Sequence, residues 1–137
     1  MDEAKQRVWH ETYILEPDRV GTKTIEALTR AAERGCQVRL IYDALGSARV
    51  NDAFLKPLRD AGAARNNVQI DRFNPVLTWK RRAGFLTRDH RKITIIDNHR
   101  AFAGGMNTSE DYAGPRHGNG TFRDCHLRVR GPVVRDL

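Results

Sequence analysis

Gln37-Val38-Arg39-Leu40-Ile41-Tyr42-Asp43 reads as a buried strand, rich in apolar and β-branched residues and lying between Gly35 and Gly46-Ser47. Its neighbours decide what kind of sheet it joins. Over residues 20–34, Val20, Ile25, Leu28, Ala31 and Ala32 fall near helical spacing, and Gly35 supplies the stop. Before that helix, residues 8–15 (Val8 to Leu15) are rich in aromatic and β-branched types, and Glu16-Pro17-Asp18 ends them, so they read as another strand. Strand, helix and strand this close together form a right-handed crossover, which makes the two strands parallel and the fold class α/β.

Downstream, Gly46-Ser47 opens a turn, and residues 48–61 read as a helix with Phe54, Leu55 and Leu58 inward. Pro57 falls inside that span and predicts a kink or a division into two pieces. Residues 67–73 predict a third strand. The segment 74–87 breaks the pattern with Pro75, Trp79, Lys80-Arg81-Arg82 and Gly84. It is either a solvated loop or a basic, aromatic surface for a headgroup or membrane interface. Residues 93–96 and 100–103 predict a hairpin turning at Asp97-Asn98-His99. Residues 122–130 alternate and predict a last strand with Cys125, Leu127 and Val129 on one face. With no internal repeat or low-complexity tract, residues 1–137 read as a single domain.

The chain of 137 residues carries a net charge of +7, which favours anionic partners: nucleic acid, phospholipid headgroups or phosphorylated metabolites. Cys36 and Cys125 lack metal-ligand spacing and read as two buried, reduced thiols rather than a disulfide. No histidine pair has zinc-ligand spacing, so metal-independent chemistry is expected. Residues 1–5 are polar and no long apolar segment follows them, so the expectation is that no signal peptide is present. No run of about 18 apolar residues is present to cross a bilayer as a helix.

The chemistry concentrates in Thr87-Arg88-Asp89-His90-Arg91-Lys92 and the residues that follow it. On an extended strand His90 and Lys92 would share a face and meet one ligand. Lys92 brings a positive charge, and Gly104 and Gly105 carry no side chains to keep a ligand from the backbone or from the Asn107 amide. A phosphate group fits those properties. Glu11, in the first strand, is expected to line the same pocket through polar contacts. His10, His99, His117 and His126 read as packed, turn or surface imidazoles.

His90-x-Lys92-x4-Asp97-x6-Gly104-Gly105-x-Asn107 resembles the signature of the phospholipase D superfamily, with every position filled. The flanks are similar to bacterial cardiolipin synthases: Glu11 to Ile14, Leu40 to Ser47, Arg123-Asp124-Cys125-His126 and Gly131-Pro132. Those synthases carry two such motifs and this sequence has one. The resemblance implies one half of a phospholipase D-like α/β sandwich, a mixed central sheet flanked by helices. It also implies that His90 is the nucleophile, with Lys92 and Asn107 on the phosphoryl oxygens, Asp124 orienting the imidazole, and no cofactor. Asp97, at the hairpin turn, reads as structural rather than chemical within the motif. A neutral imidazole can hold a phosphoryl group covalently and divide one displacement into two.

Three functions remain in competition. The first is phosphatidyl transfer between phosphatidylglycerol molecules by a cardiolipin-synthase-like catalytic half, peripheral on the cytoplasmic side of the cell membrane. Such a half needs a second motif from a partner half. The second is a single-motif nuclease or phosphodiesterase that restores the second histidine as a homodimer. The third is a catalytically incomplete fragment that binds phosphate or lipid.

Overall fold

A computed structural model of the chain describes residues 1–75, 87–116, 118 and 120–137. Six strands form one mixed sheet: β1 (Arg7–Thr12), β2 (Gln37–Asp43), β3 (Val68–Phe73), β4 (Ile93–Ile96), β5 (Arg100–Gly104) and β6 (His126–Arg130). Their order across the sheet is β3-β2-β1-β4-β5-β6. β1, β2 and β3 run parallel, whereas β4, β5 and β6 pair antiparallel, the change of sense falling between β1 and β4.

Two helices, α1 (Arg19–Glu33) and α2 (Asp52–Ala63), supply the crossovers. Asp18 starts α1 by accepting from the amides of Val20 and Gly21, both at 2.9 Å. Gly35, at φ +89°, provides the left-handed stop. Ile25, Leu28, Leu55 and Leu58 from the helices join Val8, Val38, Leu40 and Tyr42 from the strands in the main core. A smaller cluster on the other face packs Ile95 and Ala101 with Val134, from a 3-10 turn at Pro132–Asp136, alongside Trp9, Ile93 and Val129.

β2 spans the residues expected, and the 93–96/100–103 hairpin forms with one more residue in its second strand. Asp97 and Asn98 both take positive φ, 51° and 57°, which suits the twist of a tight hairpin. Other boundaries differ. β1 ends at Thr12 rather than Leu15, because residues 14 and 15 bond to other segments: the Ile14 amide to Asn107 and the Leu15 amide to Ser47. α2 starts at Asp52 rather than 48, since Asp43 ties down the turn at 45–46 and Asn51 caps the helix. It is one helix with Pro57 inside it, not two pieces.

The last strand begins at His126 rather than 122, and the predicted apolar face fails there. Cys125 precedes the strand and is exposed, so only Cys36 is a buried thiol; both are free. Leu127 is 70% exposed. The interface reading of Trp79 and Lys80 to Arg82 lies outside the described residues, as does His117. Among the described residues no helix is long and apolar enough to cross a membrane.

Candidate functional site

The segment carrying His90 is not a strand. Residues 87–92 are irregular and β4 begins at Ile93, so strand alternation does not align His90 with Lys92. An aromatic ring brings them together instead. The Tyr13 and His90 rings stack with centroids 3.9 Å apart and planes 17° from parallel. Lys92 Nζ lies 5.4 Å from the centroid of the same Tyr13 ring and donates to the His90 carbonyl. Burial lowers the Lys92 pKa, against the opposing pull of the Asp124 and Asp89 carboxylates.

Buried polar contacts hold this segment. Asp43, 1% exposed at the end of β2, accepts from the Leu45 and Gly46 amides at 2.8 and 3.1 Å and from the Asp89 amide at 3.2 Å. The Arg88 guanidinium lies 3.5 Å from the same carboxylate. One buried carboxylate therefore joins the turn after β2 to the two residues before His90.

Asn107 reaches the cluster from the other end of the motif. Its Oδ1 accepts from the Ile14 amide at 3.0 Å, next to Tyr13, which leaves Nδ2 as the end able to donate to an anion. The segment is locked by His10, whose ring nitrogens contact the hydroxyls of Thr94 and Thr108 at 2.9 and 3.0 Å. Burial, with the nearby His126, lowers the His10 pKa to about 4, so a neutral ring bridges β4 to the residue after Asn107.

The glycines act differently from the sequence expectation. The Gly104 and Gly105 amides already donate to the carbonyls of Lys92 and Cys125, at 3.3 and 2.9 Å. Side chains are excluded by neighbouring protein: a Cβ on Gly104 would fall 2.3 Å from the Cys125 carbonyl oxygen, and one on Gly105 would fall 2.1 Å from Asp124 Oδ1. Asp124 lies against Gly105, accepts from the Cys125 amide at 2.7 Å, and favours the charged forms of Lys92 and His126. It makes no hydrogen bond to His90 among the described residues.

Asp97 stands at the far end of β4 from Lys92. Its carboxylate accepts from the amides of Lys5, Gln6 and Arg7 at 3.0, 2.8 and 3.0 Å. Burial works against the charged form, but these three amides outweigh it and lower the pKa.

Glu11 belongs to a second cluster, built around Arg91, the residue after His90. Arg91 Nη2 lies 2.7 Å from Glu11 Oε1, and the same guanidinium contacts Asp89 through Nε and Nη2 at 3.1 and 3.2 Å. Burial and the hydrogen-bonded Asp89 carboxylate push Glu11 up to about 7, so Glu11 holds the proton of this pair. Glu11 also borders a cavity of about 130 Å³ with Trp9, Arg39, Ile41 and Ile93.

Tyr13, Asp43, Asp89 and Arg91 escaped the sequence reading. Their signals were present: Asp89 and Arg91 flank His90, and Tyr13 follows Glu11 by the two-residue step that keeps one side of an extended chain.

This architecture is that of the phospholipase D family. The chain superposes on the crystal structure of a phospholipase D family member, Nuc from Salmonella typhimurium, with a TM-score of 0.65 and 16% identity, covering 98% of this chain and 74% of that one. NucT from Helicobacter pylori gives 0.59 and 20%, covering 96% and 72%. Residues 1–119 match the family model described as cardiolipin synthase, PLD-like domain, and the chain belongs to that family. Cardiolipin synthase 1 of Bacillus anthracis is 34% identical over 137 residues, and the cardiolipin synthase of Geobacillus sp. (strain WCH70) is 37% identical over 142. Both alignments take in all of this chain, which spans 26% of the length of either relative.

Proposed function

We propose that this domain supplies one nucleophilic half of a phosphatidyl-transfer site, with phosphatidylglycerol as donor and acceptor. The observation that carries the reading is the convergence of His90, Lys92 and Asn107 around residues 13 and 14. An imidazole nitrogen of His90 attacks phosphorus, the bond to the glycerol oxygen breaks, and glycerol leaves with the electron pair and a proton. The phosphatidyl group rests on His90 until a hydroxyl of a second phosphatidylglycerol displaces it. Lys92 and the Asn107 Nδ2 group neutralise the non-bridging oxygens as charge builds.

Two positions need a proton donor or acceptor: the departing glycerol and the incoming hydroxyl. A histidine from a second His-x-Lys segment, in a partner half or a second copy, fills both roles. His90 is exposed and accessible to such a partner. Asp124, beside Lys92, is assigned to tuning the charge of the site.

The chemistry of His90 is separable from the need for a partner. Bis(para-nitrophenyl) phosphate releases para-nitrophenolate, a leaving group that requires no acid. The chain alone is expected to release a burst of about one equivalent per molecule, lost in His90→Ala. Phosphatidylglycerol vesicles with a partner half then test for glycerol release and cardiolipin formation. No His90-dependent burst would remove the nucleophile from the reading. Cleavage of DNA that falls steeply with added salt, without turnover of lipid, would replace the substrate by a nucleic acid.

A further inference from the structure

We propose that Tyr13 is the positioning residue for His90, and that its ring stabilises the positive charge the imidazole acquires on bonding to phosphorus. This rests on the reading of His90 as nucleophile and adds to it a residue outside the His-x-Lys signature.

A nucleophilic imidazole has to be oriented without losing its attacking nitrogen. A hydrogen bond orients the ring by occupying a nitrogen, whereas stacking fixes the plane and leaves both nitrogens free at the ring edge. The contact, at 3.9 Å and 17°, is of the second kind. Lys92 Nζ lies 5.4 Å from the centroid of the same ring, so one platform contacts both the imidazole and the ammonium.

The platform is itself built in. Ser47, fully buried, donates from Oγ to the Tyr13 carbonyl at 3.1 Å and accepts from the Leu15 amide at 2.9 Å. Asn107 holds the Ile14 amide between them. Gly46 lies so close that a Cβ there would stand 2.4 Å from the Tyr13 carbonyl oxygen and 3.0 Å from Cε2 of its ring. Backbone contacts on residues 13, 14 and 15 therefore fix where the ring projects.

The charge argument follows from the reaction. When the imidazole nitrogen bonds to phosphorus and the leaving oxygen departs with its electron pair, the other nitrogen still carries its proton. The ring then bears a positive charge that the neutral imidazole did not. The π face of an aromatic ring attracts cations more than neutral rings, so Tyr13 favours the product of attack over the ground state. Only such a differential contact accelerates a step.

Wild type, Tyr13→Phe and Tyr13→Leu, all in the 137-residue chain, separate this from a packing role. The first readout is the rate of the para-nitrophenolate burst from bis(para-nitrophenyl) phosphate. Tyr13→Phe, which keeps a π face, is expected within about threefold of wild type, and Tyr13→Leu about tenfold slower. The second readout is the proton NMR positions of the His90 ring C–H groups, assigned by their loss in His90→Ala. They are expected upfield in wild type and Tyr13→Phe and shifted back in Tyr13→Leu; Tyr13→Met replaces leucine should that variant not fold. A leucine burst as fast as wild type, or His90 ring signals unmoved by the substitution, would overturn the proposal. Upfield signals with no burst in wild type would overturn the nucleophile reading and the rate effect together while upholding the stacking.

Discussion

Glu11 on β1 and Arg91 in the segment before β4 meet at 2.7 Å, and the guanidinium that joins them also holds Asp89. Glu11 is raised from 4.5 to about 7, so its proton binds more tightly in the folded chain. Its contribution to stability is complete below pH 4.5 and is lost as pH rises through 7. His10, lowered from 6.5 to about 4, works in the opposite sense: its contribution is complete above 6.5 and is lost as pH falls toward 4. Glu11→Gln removes the first of these opposing slopes. Urea unfolding between pH 4.5 and 7 is expected to show stability rising more steeply with pH in the variant than in wild type. The difference stays within the one-proton limit of about 1.4 kcal/mol per pH unit. Parallel curves would count against the shared proton.

Asp97 invites a stability experiment. Asp97→Ala leaves the amides of Lys5, Gln6 and Arg7 without their acceptor and puts alanine at a φ of 51°. A loss of about 2–4 kcal/mol is expected, with Asp97→Asn recovering part of it because asparagine keeps an acceptor oxygen and tolerates positive φ. Equal losses in the two variants would mean that these hydrogen bonds contribute little.

The two glycines of the motif should not respond alike. An alanine Cβ at Gly104 meets the Cys125 backbone carbonyl, which is tied into the approach to β6, whereas at Gly105 it meets a carboxylate that can rotate away. Gly104→Ala is expected to cost more stability, at the upper end of about 1–3 kcal/mol. Gly105→Ala is expected to fold and to slow the para-nitrophenolate burst about tenfold, because the displaced Asp124 no longer faces Lys92. Denaturation and burst measurements on both variants check the order.

Thiol labelling tests the packing of β6. Cys125 is exposed, whereas Cys36 is 1% exposed, donates to the Ala4 carbonyl at 3.4 Å, and has its pKa raised by burial. A colorimetric disulfide reagent is expected to react quickly with one thiol in the native chain and with both in denaturant. Two fast thiols in the native chain would contradict the burial of Cys36.

The crossover and the hairpin were legible in the sequence because each is a local pattern. β2 is rich in apolar and β-branched residues and lies between glycines, and the turn at Asp97-Asn98 favours left-handed backbone. The start of β6 was not legible, because alternation in residues 122–125 carries no sign of the Asp124 carboxylate folding onto Gly105. At the site, residue types point to His90, Lys92 and Asn107, but no strand aligns the first two. What aligns them is Tyr13, whose position depends on Gly46 and Ser47, more than thirty residues later. Contacts across that separation leave no periodic trace in a single sequence.

β3 and β6 are the outer strands of the sheet, each offering one row of backbone groups without a neighbouring strand in that sheet. β6 reads His126-Leu127-Arg128-Val129-Arg130, with Arg128 and Arg130 exposed. An identical strand laid alongside would crowd guanidinium against guanidinium, so the cations act as gatekeepers against fibril-like growth at a margin where Leu127 would otherwise invite it.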